Sequence, residues 1–376
     1  MEKAINNKNK SIALVSNNYW TLYKFRYDVI QMFLKKGYQV ILIAGKDLYH
    51  QKFNDTQIKK IYLPIDERGL NPISEIKTLI KLYQYYKKIK PDLTIHFTIK
   101  PNIYGSMVCK FLNINSISFI TGIGRIFLKN KSILKNIIIK LYQFALSNNK
   151  EVWFTNKMDR ELFIKNKIIH KSFISKIVPG AGICFNNYKK SLRQDKEIKF
   201  LMISRVLKYK GVIEFLKVAE TYKNNENIKF MLLGALNDDD PEGIDREFLN
   251  KYIQNGSMSY LDYQEDIMPL LGNASCLIHP SYREGMSTVL LEAASIKIPI
   301  ITTSAPGCID IIPDNSYGLL CKPKSVNSLR VAVDRFLELK DEDKDKMTNK
   351  TYNHVKKNFS RDVVLKKYEE LDVYIN

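Results

Sequence analysis

Several common protein classes are excluded by what this 376-residue sequence lacks. No apolar run approaches the roughly 18–20 residues that cross a bilayer, so any membrane contact is expected to be peripheral. Cysteines are few and scattered, at Cys109, Cys184, Cys276, Cys308 and Cys321. An odd, scattered count without paired metal spacing gives no sign of a cysteine metal site and fits reduced thiols in a cytosolic protein. The opening MEKAINNKNK is polar and runs straight into the strand-like SIALVS, so no secretory signal is expected. Internal repeats and collagen-like periods are missing. Acidic residues are absent between Asp92 and Glu151, where Lys100, Lys110, Arg125, Lys129, Lys131, Lys135, Lys140 and Lys150 stand.

That gap belongs to a wider asymmetry. The net charge is +20, and residues 1–190 hold 33 Lys and Arg against 11 Asp and Glu, while the rest of the chain has 26 against 28. A basic first half favours a polyanionic partner, either an anionic membrane surface or nucleic acid. A lysine-rich proteome with solvated lysine faces would leave the same mark. The segment 132–146, with Ile133, Leu134, Ile137, Ile138, Leu141, Phe144 and Ala145 among lysines, reads either as a basic amphipathic helix for anionic lipid or as an ordinary core-facing helix. No nucleic-acid-binding motif accompanies the charge.

The length favours two domains. In the first half, strand-like runs (Ile12–Ser16, Gln39–Ala44, Lys60–Pro64, Leu93–Phe97, Ser116–Ile120, Glu151–Thr155) alternate with helical ones (Phe25–Lys36, Ile73–Ile89, Asn102–Leu112, Ser132–Leu146). The alternation predicts parallel sheets covered on both faces. Pro179-Gly180-Ala181-Gly182 suits a hinge, after which a second series begins with a strand at Lys199–Ser204. The expected division is residues 1–182, residues 183–358 and a terminal helix from 359 to 376. Open parallel sheets bind ligands at the carboxyl ends of their strands, so a cleft between two such domains is the expected site.

The most informative stretch is His279-Pro280-Ser281-Tyr282-Arg283-Glu284-Gly285-Met286-Ser287-Thr288, continuing to Glu292-Ala293. A strand ends at Pro280, a turn holds Glu284 and Gly285, and a helix starts near Met286. Gly285 permits close backbone approach, and the unpartnered first amides with the helix dipole suit a phosphate. Glu292 lies roughly 12 Å along the axis from Glu284 if helical rise holds throughout. Carboxylates on both sides of an anion site suit a ligand with hydroxyls at both ends of a diphosphate. The same spacing also suits a capping Glu284 and a solvated Glu292. Earlier, Arg205 and Lys210 leave the carboxyl end of the Lys199–Ser204 strand, where two cations could neutralise a departing diphosphate or simply be solvated.

Together these residues resemble the GT-B fold of the large retaining glycosyltransferase family 4, whose marks are an E-x7-E segment (Glu284…Glu292) and an R-x4-K pair (Arg205…Lys210). Pro280-Ser281, Glu284-Gly285, Leu291-Glu292-Ala293, Pro299 before a strand and Gly318 after Ile311-Ile312 match as well. The resemblance implies an α/β protein of two Rossmann-like domains facing across a cleft, with the terminal helix around Tyr368 crossing back to the first. It further implies that Glu284 holds the donor sugar, Glu292 the ribose, and Arg205 and Lys210 the diphosphate. Gly285 and the amides around Met286, Ser287 and Thr288 would assist. Transfer with retention is expected, without a metal or other cofactor.

In the first half, Phe25-Arg26, the run His96-Phe97-Thr98-Ile99-Lys100-Pro101-Asn102-Ile103-Tyr104-Gly105 and Thr121-Gly122-Ile123-Gly124 resemble the subset that transfers N-acetylhexosamines to polyprenyl-diphosphate-linked sugars. Arg26, His96, Lys100, Asn102, Gly122 and Gly124, with Asn17 and Asn18, are the acceptor or cleft candidates this implies. Two departures stand out: Asn17-Asn18 replaces the family's Gly-Gly pair, and Gly182-Ile183-Cys184 its Gly-Val-Asp. The expected partners are a UDP-sugar, a lipid-linked saccharide and the anionic cytoplasmic face of an inner membrane, with no nucleic acid. Rival readings are a metal-dependent transferase using Asp238 and Asp240, a nucleotide-sugar epimerase of the same fold, and a basic nucleic-acid-binding protein.

Overall fold

The computed structural model describes residues 10–67, 69, 71–124, 127, 133–185, 197–237 and 240–375. They form two compact units, one of Met1–Ala181 with Val364–Asn376, the other of Gly182–Val363. Each is built on a parallel sheet flanked by helices.

The first unit contains strands β1 (Ser11–Asn18), β2 (Gln39–Gly45), β3 (Ile58–Tyr62), β4 (Leu93–Phe97), β5 (Asn115–Ile120), β6 (Glu151–Phe154) and β7 (Ser175–Ile177). Their order is β3-β2-β1-β4-β5-β6-β7, so the strand order reverses between β1 and β4. Both faces are covered, as the continuous apolar run of β1 requires. Ile12 and Leu14 pack with helix α1 (Tyr19–Lys35), while Ala13 and Val15 pack on the opposite core with α2 (Pro72–Ile89) and α3 (Ser106–Leu112). Helix α4 (Ile133–Leu146) closes the far end of the second face through Tyr142, Ala145 and Leu146. Helix α5 spans Lys157–Lys165.

The second unit has β8 (Ile198–Ile203), β9 (Ile228–Leu233), β10 (Ser259–Leu261), β11 (Cys276–His279), β12 (Ile300–Thr303) and β13 (Leu319–Cys321), in the order β10-β9-β8-β11-β12-β13. Its reversal falls between β8 and β11. The helices are α6 (Val212–Thr221), α7 (Arg246–Gln254), α8 (Met268–Asn273), α9 (Thr288–Ser295), α10 (Val326–Glu338) and α11 (Asp341–Phe359).

Helix α12 (Arg361–Glu369) begins after Ser360, whose Oγ accepts from the Val363 amide at 3.4 Å. It carries the chain back into the first unit, where Val364, Tyr368, Leu371 and Ile375 join the α1 core. The Tyr368 ring meets Trp153 edge-on at 4.9 Å, and Asp372 accepts from Lys36 at 2.8 Å and from the Tyr38 hydroxyl at 3.0 Å.

Some elements differ from expectation. Helix α1 starts at Tyr19, not Phe25, because the Asn18 side chain caps it by accepting from the Thr21 amide at 2.9 Å. The helix expected from Asn102 to Leu112 is a π turn over Pro101–Gly105 leading into α3. Ser132, expected to open α4, lies outside the described residues.

Candidate active site

The densest meeting of charged side chains predicted from sequence lies at the β8–β11 reversal. Strand β11 is buried along its length and ends at His279; Pro280 and Ser281 lead into a turn carrying Glu284. The Glu284 amide donates to the Pro306 carbonyl at 3.0 Å, and the Tyr282 amide to the Tyr209 carbonyl at 2.9 Å. Glycine is demanded at two approaches. Gly211 has φ +79°, and a Cβ there would lie 2.2 Å from the Pro280 carbonyl oxygen. Gly307 has φ +77°, and its Cβ would come within 2.5 Å of the Glu284 carbonyl oxygen.

In this frame the Glu284 Oε1 accepts from Lys210 Nζ at 2.5 Å and lies 3.1 Å from His279 Nε2. The ion pair is largely buried, with side-chain exposures of 14% for Lys210 and 11% for Glu284. Burial pushes the carboxyl pKa up, but the charge of Lys210 and the His279 and Lys210 hydrogen bonds outweigh it and hold the group well below the usual carboxylate range. Glu284 is therefore ionised at neutral pH. The stability it contributes is present above the unfolded carboxylate value, about 4.3, and is lost as pH falls through the lower folded value. The same buried charge helps drive the Cys308 thiol up to about 12, after burial itself, so that cysteine is an inert thiol.

Helix α9 starts at Thr288 with Ser287 at the N-cap position, but the Ser287 hydroxyl makes no cap bond. It sits 3.2 Å from His279 Nε2 instead. Glu284 is thus a turn residue held by Lys210 and His279, and does not cap the helix. Gly285 and Met286 are half-buried, Met286 packing on the α9 core, and Thr288 is exposed. Glu292 is half-buried one turn beyond Thr288, on the same outer face, while Val289, Leu290, Leu291, Ala293 and Ala294 face the core. Arg205 is exposed just beyond β8 and donates to the Tyr209 hydroxyl at 2.8 Å.

The first-unit candidates are not brought together in this way. Arg26 is buried on α1, its guanidinium 4.6 Å and 4.7 Å from the Phe97 and Phe119 ring centroids, donating to the Gly180 carbonyl at 2.8 Å. His96 is fully buried, 2.9 Å from the Tyr86 hydroxyl and 3.3 Å from the Ser106 hydroxyl, and burial lowers its pKa to about 3. Asn102 is buried and donates to the Phe119 carbonyl at 3.0 Å. These three side chains belong to the core and present nothing to solvent. Lys100 is bonded to Glu75 at 2.5 Å and to the Gly69 carbonyl at 2.7 Å, tying α2 to the end of β4. Asn18 caps α1, and its amide also donates to Glu67 at 2.5 Å. Gly122 and Gly124, with φ of 157° and 72°, follow β5.

Comparison with known proteins agrees with this architecture. Residues 185–354 match the family model of glycosyl transferases group 1, and residues 11–156 that of glycosyl transferase 4-like proteins. The chain is a glycosyltransferase, its second half of group 1 and its first half 4-like. It is 27% identical over 344 residues to the N,N'-diacetylbacillosaminyl-diphospho-undecaprenol alpha-1,3-N-acetylgalactosaminyltransferase of Campylobacter jejuni, covering 87% of this chain and 89% of that one. It is 23% identical over 313 residues to an Escherichia coli UDP-Gal:alpha-D-GlcNAc-diphosphoundecaprenol alpha-1,3-galactosyltransferase, covering 76% and 78%. In three dimensions it resembles Anabaena HepE crystallised with UDP and glucose, with a TM-score of 0.75 at 13% identity over 96% of this chain and 99% of that one. The fold is GT-B, two Rossmann-like units on parallel sheets.

Two residues of this glycosyltransferase escaped sequence reasoning. His279 figured only as a flank of the motif, yet it holds Glu284 from beneath; its position at the end of a strand, five residues before the glutamate, was the available signal. Thr98, directly after β4, has φ +68°, rare for a β-branched residue, and its hydroxyl donates to Asn17 Oδ1 at 2.8 Å. The bond links the carboxyl ends of β1 and β4. Among the described residues, no group of three or more His, Cys, Asp or Glu side chains is spaced to hold a metal. Asp238 of the rival metal reading lies outside them.

Proposed function

We propose that this glycosyltransferase moves an N-acetylhexosamine, such as N-acetylgalactosamine, from UDP onto a polyprenyl-diphosphate-linked saccharide during surface-polysaccharide or glycoprotein-glycan assembly. It retains the anomeric configuration and needs no metal or cofactor. The observation that carries the reading is the Lys210–Glu284–His279 arrangement at the strand-order reversal of the second unit. The name of the Campylobacter relative supports the N-acetylgalactosamine, that of the Escherichia coli galactosyltransferase the UDP carrier, and both support a lipid-linked acceptor.

In this reading Glu284, fixed and ionised, accepts from donor-sugar hydroxyls. Glu292 accepts from the ribose. An ammonium has three donors, so Lys210 keeps one on Glu284 while turning others to the diphosphate, and Arg205 swings from Tyr209 to join it. Gly285 and the amides from Met286 to Thr288 add neutral donors. As the bond from the sugar C1 to the phosphate oxygen breaks, charge accumulates on the departing UDP, where these donors stabilise it. The acceptor oxygen bonds to C1 from the same face, and its proton passes to the leaving phosphate. Work at the cytoplasmic face of a membrane follows from a lipid-linked acceptor, with the basic first unit serving lipid and not nucleic acid.

A screen of labelled UDP- and GDP-sugars against membrane lipid extract tests donor and acceptor class together. Label from UDP-N-acetylhexosamine is expected in the lipid fraction, in the presence of excess chelator. Label only from GDP-sugars would overturn the donor, and epimerised UDP-sugar forming without acceptor would replace transfer by the epimerase reading.

A further inference from the structure

In the first unit, α3 packs against both α2 and α4, placing three helices of 18, 7 and 14 residues side by side over one face of the sheet. Among the described residues, eight of the eighteen large apolar side chains left exposed sit on these helices. On α2 they form a row. Ile73 is 78% exposed, Ile76 57%, Ile80 50% and Tyr83 39%. Their spacing of three and four residues puts them on one side of the helix, away from the buried Thr78, Leu82 and Tyr86. A second patch joins α3 to α4, where the exposed rings of Phe111 and Phe144 touch at 6.1 Å with Lys110 Nζ 4.1 Å from the Phe144 centroid.

The charged residues that these helices carry are basic with one exception. Helix α2 carries Lys77, Lys81, Lys87 and Lys88, and its acidic residue, Glu75, is bonded to Lys100 at 2.5 Å. Helices α3 and α4 have no acidic residue. Isolated exposed apolar residues are ordinary, but an apolar row edged by lysines fits one surface well, apolar below and anionic at the rim. A second copy of the chain fits poorly, since a symmetric contact would press like charges together.

We infer that the outer face of α2, extended by the Phe111–Phe144 patch, is the surface by which this protein lies on an anionic lipid bilayer. Isoleucines enter the acyl boundary and lysines stay at the headgroups. The inference deepens the proposed action on a lipid-linked acceptor and moves the main contact from α4, where one of two readings of the sequence put it, to α2.

Flotation with vesicles of phosphatidylglycerol and phosphatidylethanolamine, without sugar donor or acceptor, tests it. The wild-type chain is expected to float at low salt and to be released by high salt. The doubly substituted I76S/I80S chain should bind about tenfold or more weakly with an unchanged melting temperature, since both side chains are already exposed. K77E/K88E should lose about fivefold or more per position. Absence of flotation, equal flotation of I76S/I80S, or equal binding to phosphatidylcholine vesicles would each overturn the proposal. So would sedimentation showing a dimer that I76S/I80S dissolves without lipid, which would assign the face to a second copy. A chain that floats but transfers no sugar leaves this inference standing and removes the transferase reading. Transfer to detergent-dispersed lipid extract without flotation does the reverse.

Discussion

The two units reverse their strand order in equivalent places but place charge there differently: beyond β4, Lys100 is tied sideways to Glu75 of α2, not to a group from a neighbouring strand end. Between β8 and β11, Lys210 and Glu284 emerge from neighbouring strand ends and bond to each other, with His279 beneath and Arg205 outside. Between β1 and β4, the strand ends are joined by the neutral Thr98–Asn17 bond, while Arg26 and His96 turn into the core. A strand end is thus a place where chemistry can be mounted, and the facing of each side chain decides whether it is. The second unit keeps its charges at the mouth. The first holds its buried cation by two aromatic faces and a carbonyl, as packing.

The comparison breaks most readily at Glu284. Glu284→Gln keeps the shape and removes the charge, and turnover should fall about 10²–10³-fold with the fold intact by circular dichroism. Near-normal turnover would remove the site assignment. At the corresponding depth of the first unit, Arg26→Ala should behave oppositely, lowering unfolding free energy by about 3 kcal/mol through loss of the ring contacts and the Gly180 bond. If denaturant melts showed unchanged stability while turnover collapsed, Arg26 would belong to the chemistry after all.

A smaller effect is expected at His279. His279→Ala leaves Glu284 with Lys210 alone, and turnover should drop about tenfold; His279→Gln, which can still donate, should restore most of it. Equal losses in both variants would show that the ring matters for packing and not for positioning.

The smallest effect on turnover is expected at His96, which acts on stability through pH. The unfolded chain protonates His96 near 6.5, whereas the folded chain resists until about 3. Stability should therefore fall by about 1.4 kcal/mol per unit as pH drops from 6.5 toward 3. His96→Gln should flatten that part of the profile, and an unchanged slope would show that His96 titrates in the folded state.

Much of the second unit was readable from sequence because its signals are local. The E-x7-E and R-x4-K spacings follow strand ends, and α9 starts within two residues of its expected start near Met286. What could not be read was that Ser287 turns to His279, because the strand residue is eight positions away and only the bend after Pro280 brings the two together. In the first unit the same reading misled at α1, whose apolar pattern is clear only from Phe25, whereas the Asn18 cap starts the helix at Tyr19. The run of His96, Lys100 and Asn102 looked like one functional word, yet the structure sends its members to Tyr86, Glu75 and Phe119.

The sequence by itself determined the family, the parallel α/β architecture and the basic bias of the first half, because periodicity, motif spacing and composition survive in one dimension. Only the tertiary structure decided which charged residues stay at a strand mouth and which are swallowed by the core. It alone showed that the isoleucines of α2 form an uncovered row. Both depend on neighbours distant along the chain, and burial is set by those neighbours rather than by the residue itself.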